Sequence, residues 1–151
     1  MRYVLYTPDF LDFLRALNRH RVRYLLIGGY AVAFHGYPRA TKDLDLWVES
    51  SPENAARALA AIREFFGETL GLEEDDFLTP GVIQLGYPPN RIDLVLLPES
   101  SPSFAKAYAR AKETRVEGIP VRVIGFEDML ALKRAFGRAQ DRADVEALEE
   151  E

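Results

Sequence analysis

The sequence of 151 residues is 48% hydrophobic and 11% aromatic, which is enough apolar material for the core of one domain. Its formal net charge of −5 argues against a broad, sequence-independent hold on nucleic acid, and the absence of cysteine excludes disulfides and thiolate metal sites. No apolar run has the length of a membrane span, and the N-terminus lacks the pattern of a cleaved signal peptide. We therefore expect a single cytoplasmic domain over residues 1–151, with no membrane association.

The first half of the chain alternates between helical and strand patterns. Thr7-Pro8-Asp9 is typical of a helix start, because it combines a capping hydroxyl, a proline in the first turn and an acidic residue near the positive end of the helix. Helices are expected after this start, over residues 30–34 and over residues 54–66, where alanine is frequent. Strands are expected over residues 24–27 and 43–48.

The second half of the chain continues this alternation. Two apolar strand patterns, 82–85 and 91–97, are separated by Pro88-Pro89-Asn90, which predicts a hairpin and therefore a mixed sheet. The remaining elements are two strands at 115–117 and 121–123 and three helices at 101–108, 126–136 and 138–148. The predicted fold class is α+β, a small mixed sheet flanked by helices, with the C-terminal helices of residues 126–148 packed on the core.

Three aspartates stand in strand patterns that are otherwise apolar. Asp43 and Asp45 are two positions apart, so their side chains point to the same face of a strand. If the strand that carries Asp93 lies beside theirs, three carboxylates converge, and a bound cation would relieve their repulsion. Ligands that are all oxygen favour Mg²⁺ or Mn²⁺, and a pair of such ions serves phosphoryl transfer. The alternative is that each aspartate pairs with an arginine or caps a helix.

A diglycine turn, Gly28-Gly29, lies between the first strand and the short helix that follows it. Backbone N–H groups at such a turn can hold phosphate oxygens, and glycine allows the ligand to approach closely. Most diglycine pairs in this position are only tight turns. The spacing from Gly28-Gly29 to Asp43 and Asp45 is what makes this pair a candidate phosphate site.

The diglycine turn after a strand, the short helix, the motif Asp43-Leu44-Asp45 and a later lone aspartate in a strand occur here in a characteristic order. This order resembles the nucleotidyltransferase superfamily with the DNA polymerase β-like fold. Residues 28–46 are similar to small bacterial and archaeal nucleotidyltransferases, among them the AbiEii-like enzymes of type IV toxin–antitoxin systems. They are also similar to the antibiotic adenylyltransferases of the aminoglycoside and lincosamide type. The resemblance covers residues 24–97 well and the C-terminal part more loosely.

The resemblance implies a role for each residue of this motif. Asp43 and Asp45 would bind two divalent ions, Mg²⁺ or Mn²⁺, and Asp93 would be the third ligand and the candidate general base. Gly28 and Gly29 would hold the phosphates of a nucleoside triphosphate, such as ATP. The acceptor implied by the superfamily is a hydroxyl of a tRNA, a protein or a small molecule. Because the chain is short, the acceptor could also be held by a partner subunit or by a second copy in a homodimer.

Several charged residues outside the motif are further candidates. Lys133 falls in the apolar stripe of the helix at 126–136, where it either extends to solvent or reaches the triphosphate or the carboxylates. AbiEii-like proteins carry a functional lysine in a comparable helix, and this resemblance favours the second interpretation. Arg39 and Lys42, in the loop before the aspartates, either contact phosphate or face solvent. Asp141 is either an acidic residue near the active site or, as its place at the start of the last helix favours, a cap of that helix.

The leading hypothesis is a metal-dependent nucleotidyltransferase that moves a nucleoside monophosphate from a nucleoside triphosphate to an acceptor hydroxyl and releases pyrophosphate. A different class of function is a non-catalytic nucleotide-binding or toxin–antitoxin-type interaction module on the same fold. A third hypothesis is an unrelated α/β domain in which the acidic residues coincide by chance. The first two hypotheses predict nucleotide binding that depends on metal, and only the first predicts turnover.

Overall fold

The computed structural model describes residues 6–37, 41–97 and 102–149, and a single six-stranded sheet runs through them. Its strands, each of four or five residues, are β1 (Tyr24–Ile27), β2 (Leu44–Val48), β3 (Gly81–Leu85), β4 (Ile92–Leu96), β5 (Lys112–Val116) and β6 (Ile119–Val123). Their order across the sheet is β3-β4-β2-β1-β6-β5.

The sheet is mixed, as the sequence predicts. β2 runs antiparallel to β1 and parallel to β4, while β1 runs parallel to β6. The predicted hairpin of β3 and β4 is confirmed, and β5 and β6 form a second hairpin at the other edge. All residues of β1 and β4 are buried, which is typical of strands covered on both faces.

Six α-helices and one short 3₁₀ helix are present in the part of the chain that the structure describes. They are α1 (Pro8–Arg19), α2 (Gly28–Phe34), α3 (Pro52–Phe66), the 3₁₀ helix (Glu74–Phe77), α4 (Phe104–Ala109), α5 (Phe126–Phe136) and α6 (Ala139–Glu149). Among these described helices, none combines the length and the apolar character needed to cross a membrane. The fold class predicted from the sequence, a mixed sheet flanked by helices, is therefore confirmed.

Local sequence explains where the helices begin. Thr7 caps α1, because its hydroxyl oxygen accepts a hydrogen bond from the backbone N–H of Phe10 at 3.1 Å. Ser51 caps α3 in the same way, at 3.2 Å from the backbone nitrogen of Asn54. α4 begins later than expected, at Phe104, because the hydroxyl of Ser103 provides its cap. Residue 101, the expected start of this helix, lies outside the described residues.

The buried side chain of Asn54 ties α3 to the start of β1 and the end of β2. Its amide oxygen accepts from the backbone nitrogen of Arg23 at 2.8 Å, and its amide nitrogen donates to the carbonyl oxygens of Arg23 and Glu49 at 3.0 and 2.9 Å. Three satisfied hydrogen bonds explain why a polar side chain is stable here. These bonds fix the ends of β1 and β2 that are opposite to the ends at which the aspartates lie.

Candidate active site

The register of β2 against β4 brings two of the candidate aspartates together. The strands are parallel and Asp45 is directly opposite Asp93, so both side chains point to the same face of the sheet. Asp43 precedes β2 by one residue and lies two positions before Asp45. The spatial arrangement expected from the sequence is therefore present, while the roles of these residues in catalysis and metal binding stay predictions.

The carboxylate of Asp45 has an unusual environment. Burial, and then the negative charges of Asp93 and Asp43, raise its pKa from the ordinary 3.8 to about 7, although the positive charges of Arg138 and Arg91 act in the opposite direction. No hydrogen bond or ion pair joins this carboxylate to another residue within the described ranges. An acidic group in such a position attracts a proton or a cation.

Gly28 lies directly over Asp45. Ile27 of β1 is opposite Asp45 in the antiparallel register, so the residue that follows Ile27 folds across this carboxylate. Gly28 has a φ of +72°, and a Cβ atom placed on it would be 2.2 Å from Oδ2 of Asp45. Only glycine fits there. The next residue, Gly29, is buried in the first turn of α2.

Arg91 is a site residue that the sequence analysis did not single out. Its Nε and Nη2 atoms donate to Oδ1 and Oδ2 of Asp93, both at 3.0 Å, in a bidentate pair. Its Nε is also 3.8 Å from Oδ2 of Asp43. The sequence contains the signal for this pair, because Arg91 and Asp93 are two positions apart in a strand pattern and so share a face.

The donor set of the site fits a hard divalent cation. It consists of carboxylate oxygens, and Asp45 has an oxygen that no described side chain neutralises directly. Among residues 6–37, 41–97 and 102–149, however, no group of three histidine, aspartate or glutamate side chains is positioned to hold a metal ion as the side chains now stand. The guanidinium of Arg91 lies within 4 Å of both Asp43 and Asp93.

A cavity of about 340 Å³ opens above the aspartates. Its apolar lining comes from two sources: Val82 and Val95 lie on the same face of the sheet as Asp93, and Met129, Leu132 and Phe136 belong to α5. A second cavity, of about 390 Å³, lies at the start of β1 beside Tyr24, Tyr108 and Arg122. It contains none of the candidate residues, so its larger volume does not make it the candidate site.

Lys133 lines the cavity but does not extend to solvent, so that expectation is wrong. Its side chain is buried, and its Nζ is 2.9 Å from Oδ2 of Asp144 and 3.7 Å from Oδ1 of Asp141. Two acidic residues of α6 hold the ammonium because a buried charge requires partners. The proposed contact of Lys133 with a triphosphate stays a prediction.

Asp141 has a different role from the helix cap that the sequence suggests. It is buried at the wall of the cavity, and it accepts hydrogen bonds from Nε and Nη2 of Arg138 at 2.5 and 3.2 Å. Because Arg138 also lowers the pKa of Asp45, the segment between α5 and α6 contributes positive charge to the site. Lys42 is exposed beside Asp43, and Arg39 lies outside the described residues.

The comparisons with known proteins support the fold. No protein-family model matches the chain, and no curated protein is similar to it in sequence. Among solved structures, it is similar to a protein from Thermotoga maritima described as a "putative nucleotidyltransferase", with a TM-score of 0.56 and 15% identity over 99% of this chain and 98% of the other. At this identity the similarity concerns the fold alone. It supports a nucleotidyltransferase-like fold and does not distinguish the AbiEii-like type.

Proposed function

We propose that the protein is a nucleotidyltransferase that transfers a nucleoside monophosphate from a nucleoside triphosphate to an acceptor hydroxyl. The observation that carries this proposal is the register of β2, which places Asp45 beside Asp93 of β4 and, through its pairing with β1, next to Gly28. Three clustered carboxylates, a glycine turn and a nucleotidyltransferase-like fold together favour phosphoryl chemistry over other uses of an acidic pocket.

The reaction forms one bond and breaks one bond. The acceptor oxygen bonds to the α-phosphorus, the bond from the α-phosphorus to the bridging oxygen breaks, and pyrophosphate leaves with that oxygen. The proton of the acceptor hydroxyl goes to a carboxylate, for which Asp93 is the candidate base. Asp43, Asp45 and Asp93 would hold one or two Mg²⁺ or Mn²⁺ ions, which supply charge neutralisation and activate the acceptor hydroxyl.

The remaining residues of the site position the substrate and balance its charge. The backbone at Gly28 and Gly29 is the candidate cradle for phosphate oxygens, and at Gly28 it adjoins the carboxylate of Asp45. Arg138 supplies positive charge near Asp45, and Lys133 is the further candidate for a phosphate contact. The apolar residues that line the cavity lower the local dielectric constant, which strengthens these electrostatic interactions.

The acceptor is a hydroxyl of a tRNA, a protein or a small molecule. A cavity of about 340 Å³ that is partly lined by apolar residues can enclose part of a nucleotide, but a macromolecular acceptor would have to approach from its open side. An acceptor held by a partner subunit or a second copy of the chain is compatible with this geometry. A toxin–antitoxin context is one setting for such an enzyme.

A non-catalytic nucleotide-binding module is the second candidate function. The specific observation in its favour is the bidentate pair of Arg91 and Asp93, which engages both oxygens of the candidate base. For catalysis, Arg91 would have to release Asp93. If it does not, the protein can bind a nucleotide without consuming it.

The test is a transfer assay with Mg²⁺, each of the four α-³²P-labelled nucleoside triphosphates, and total RNA or cell extract as the source of acceptors. We expect labelled product from the wild-type protein and none from Asp43→Ala. Asp12→Ala is the matched control, because Asp12 is an exposed aspartate of α1 whose ion pair with Arg15 lies at the surface. Label transfer that survives Asp43→Ala would contradict the proposal, and nucleotide binding without transfer would favour the second candidate.

A further inference from the structure

Arg91 holds the position between two carboxylates that a bridging cation would need. Its Nε is 3.0 Å from Oδ1 of Asp93 and 3.8 Å from Oδ2 of Asp43. We propose that Arg91 is a displaceable counter-ion, which neutralises these aspartates in the metal-free protein and competes with a divalent cation for them. The proposal rests on the proposed function, because that function requires the cation.

The charges of the site show why the aspartates need a counter-ion and why Arg91 neutralises them only in part. Asp43, Asp45 and Asp93 bring three negative charges to one end of two adjacent strands. Arg91 forms hydrogen bonds with Asp93 and an ion pair with Asp43, but within the described residues it makes neither contact with Asp45. Arg138, whose charge also acts on Asp45, is hydrogen-bonded to Asp141. Asp45 therefore has no direct counter-ion among the described residues, and a divalent cation would neutralise the three carboxylates more completely.

The position of Arg91 in the chain allows it to leave. It precedes β4 by one residue and follows a turn, and its side chain is 35% exposed. Lys133, by contrast, is held at 6% side-chain exposure between two acidic residues of α6. A partly exposed arginine that comes just before a strand can change its rotamer without disturbing the packing of the core.

Displacement has a consequence for the substrate. When Arg91 leaves Asp93, its guanidinium remains beside the cavity, where a phosphate group offers it a bidentate partner in place of the carboxylate. The same movement breaks both hydrogen bonds to Asp93, so that one of its oxygens can bind the cation while the other is available as the candidate base. Arg91 is thus a positioning residue. It exchanges Asp93 for a phosphate group when the cation binds, and this exchange releases Asp93 from Arg91.

The experiment measures Mn²⁺ binding directly, without nucleotide or turnover, from the electron paramagnetic resonance signal of free Mn²⁺. The variants are Arg91→Gln, Arg91→Lys, and Arg91→Gln in an Asp93→Asn background. Arg110→Gln is the matched control, because Arg110 forms a bidentate pair of the same kind with Asp128, at 3.0 and 2.7 Å, and Asp128 is not among the residues that line the cavity. Arg110→Gln removes the same charge without uncovering a candidate ligand.

We expect Arg91→Gln to bind Mn²⁺ about tenfold more tightly than wild type, since it removes a competitor that forms charge-assisted hydrogen bonds. Arg91→Lys, which cannot form the bidentate pair, should fall between the two. In the Asp93→Asn background the gain should largely disappear. As a second measurement, MnCl₂ should raise the melting temperature of Arg91→Gln more than that of wild type.

Unchanged or weaker Mn²⁺ binding by Arg91→Gln would overturn the inference, and so would an equal gain in Arg110→Gln, which would show a general effect of charge. If wild type binds Mn²⁺ and transfers nucleotide while Arg91→Gln shows no gain, only the role of Arg91 fails. If no variant binds Mn²⁺, the inference and the metal-dependent function fail together.

Discussion

At the scale of single residues, the contact of Gly28 with Asp45 is the most constrained feature of the site. The left-handed φ of Gly28 and the 2.2 Å distance that would separate a Cβ atom from Oδ2 of Asp45 are two separate reasons why only glycine fits. The contact also limits access of water to one side of this carboxylate, and burial is the largest cause of its raised pKa.

Gly28→Ala should destabilise the protein by about 3 kcal/mol, because the clash adds to the cost of a left-handed backbone. The measurement is chemical unfolding followed by circular dichroism. Gly67→Ala is the matched control, since Gly67 has a similar φ of +82° and no atom lies within 4 Å of the position that its Cβ would occupy. It should cost about 1 kcal/mol. Equal losses of stability in the two variants would show that the contact with Asp45 does not add to the cost of a side chain at residue 28.

Asp45→Asn should stabilise the metal-free protein at alkaline pH. The folded-state pKa of Asp45, about 7, is above its ordinary value of 3.8, so the folded protein binds this proton more tightly than the unfolded chain. The contribution of this group to stability therefore falls as the pH rises from about 4 to about 7. In EDTA at pH 8 the variant should be more stable than wild type by up to about 4 kcal/mol, and at pH 4 the difference should be small.

Thermal unfolding at the two pH values checks this prediction. Asp12→Asn is the control, because Asp12 is exposed and lies outside the site. A gain for Asp45→Asn that is the same at pH 4 and pH 8 would contradict the prediction, because titration of the carboxylate could not then be its cause.

At the scale of elements, the ion pairs that join α5 and α6 differ in burial. Lys133 and Asp144 are both nearly inaccessible to solvent, whereas Arg134 and Glu149, which form an ion pair across the same two helices, are about half exposed. Removing one partner of a buried pair leaves a charge in a medium that solvates it poorly, and the same change at the surface leaves it in water.

Lys133→Met should therefore lower the free energy of unfolding by about 3 kcal/mol, because Asp144 and Asp141 lose the ammonium that faces them. Arg134→Met, the matched control in the same helix, should lower it by less than about 1 kcal/mol. Urea unfolding of the two variants checks the difference. Similar losses would show that the buried pair does not contribute to the packing of α6.

At the scale of the whole molecule, one sheet connects the elements of both halves of the chain. β1 and β2 from the first half of the chain lie between β4 and β6 from the second half. If either half unfolded, strands of the other half would lose the neighbours to which they are hydrogen-bonded.

The prediction of a single domain over residues 1–151 can be tested by calorimetry. We expect one transition for which the van't Hoff enthalpy equals the calorimetric enthalpy, as for a two-state domain of this size. Far-ultraviolet and near-ultraviolet circular dichroism should give the same midpoint. Two resolved transitions, or separate midpoints from the two probes, would divide the chain into more than one unit.

Much of the fold could be predicted from the sequence because its signals are local. The caps at Thr7 and Ser51, the apolar strand patterns and the turn between β3 and β4 depend on neighbouring residues, and the structure places these elements within a few residues of their predicted bounds. The candidate aspartates and the diglycine turn were visible for the same reason. Each is a polar or small residue inside a short apolar pattern.

The sequence by itself determined which residues could do chemistry, and the tertiary structure decided which of them meet. The pairing of β2 with β4 joins residues about fifty positions apart, and it places Asp45 beside Asp93. The burial of Lys133 depends on how α6 packs, and a helical pattern alone does not specify its partners. The geometry of the bidentate pair at Arg91 depends on side-chain positions at the end of a strand. Local patterns are set by covalent neighbours, but the electrostatics of a site depend on distances that only the folded chain creates.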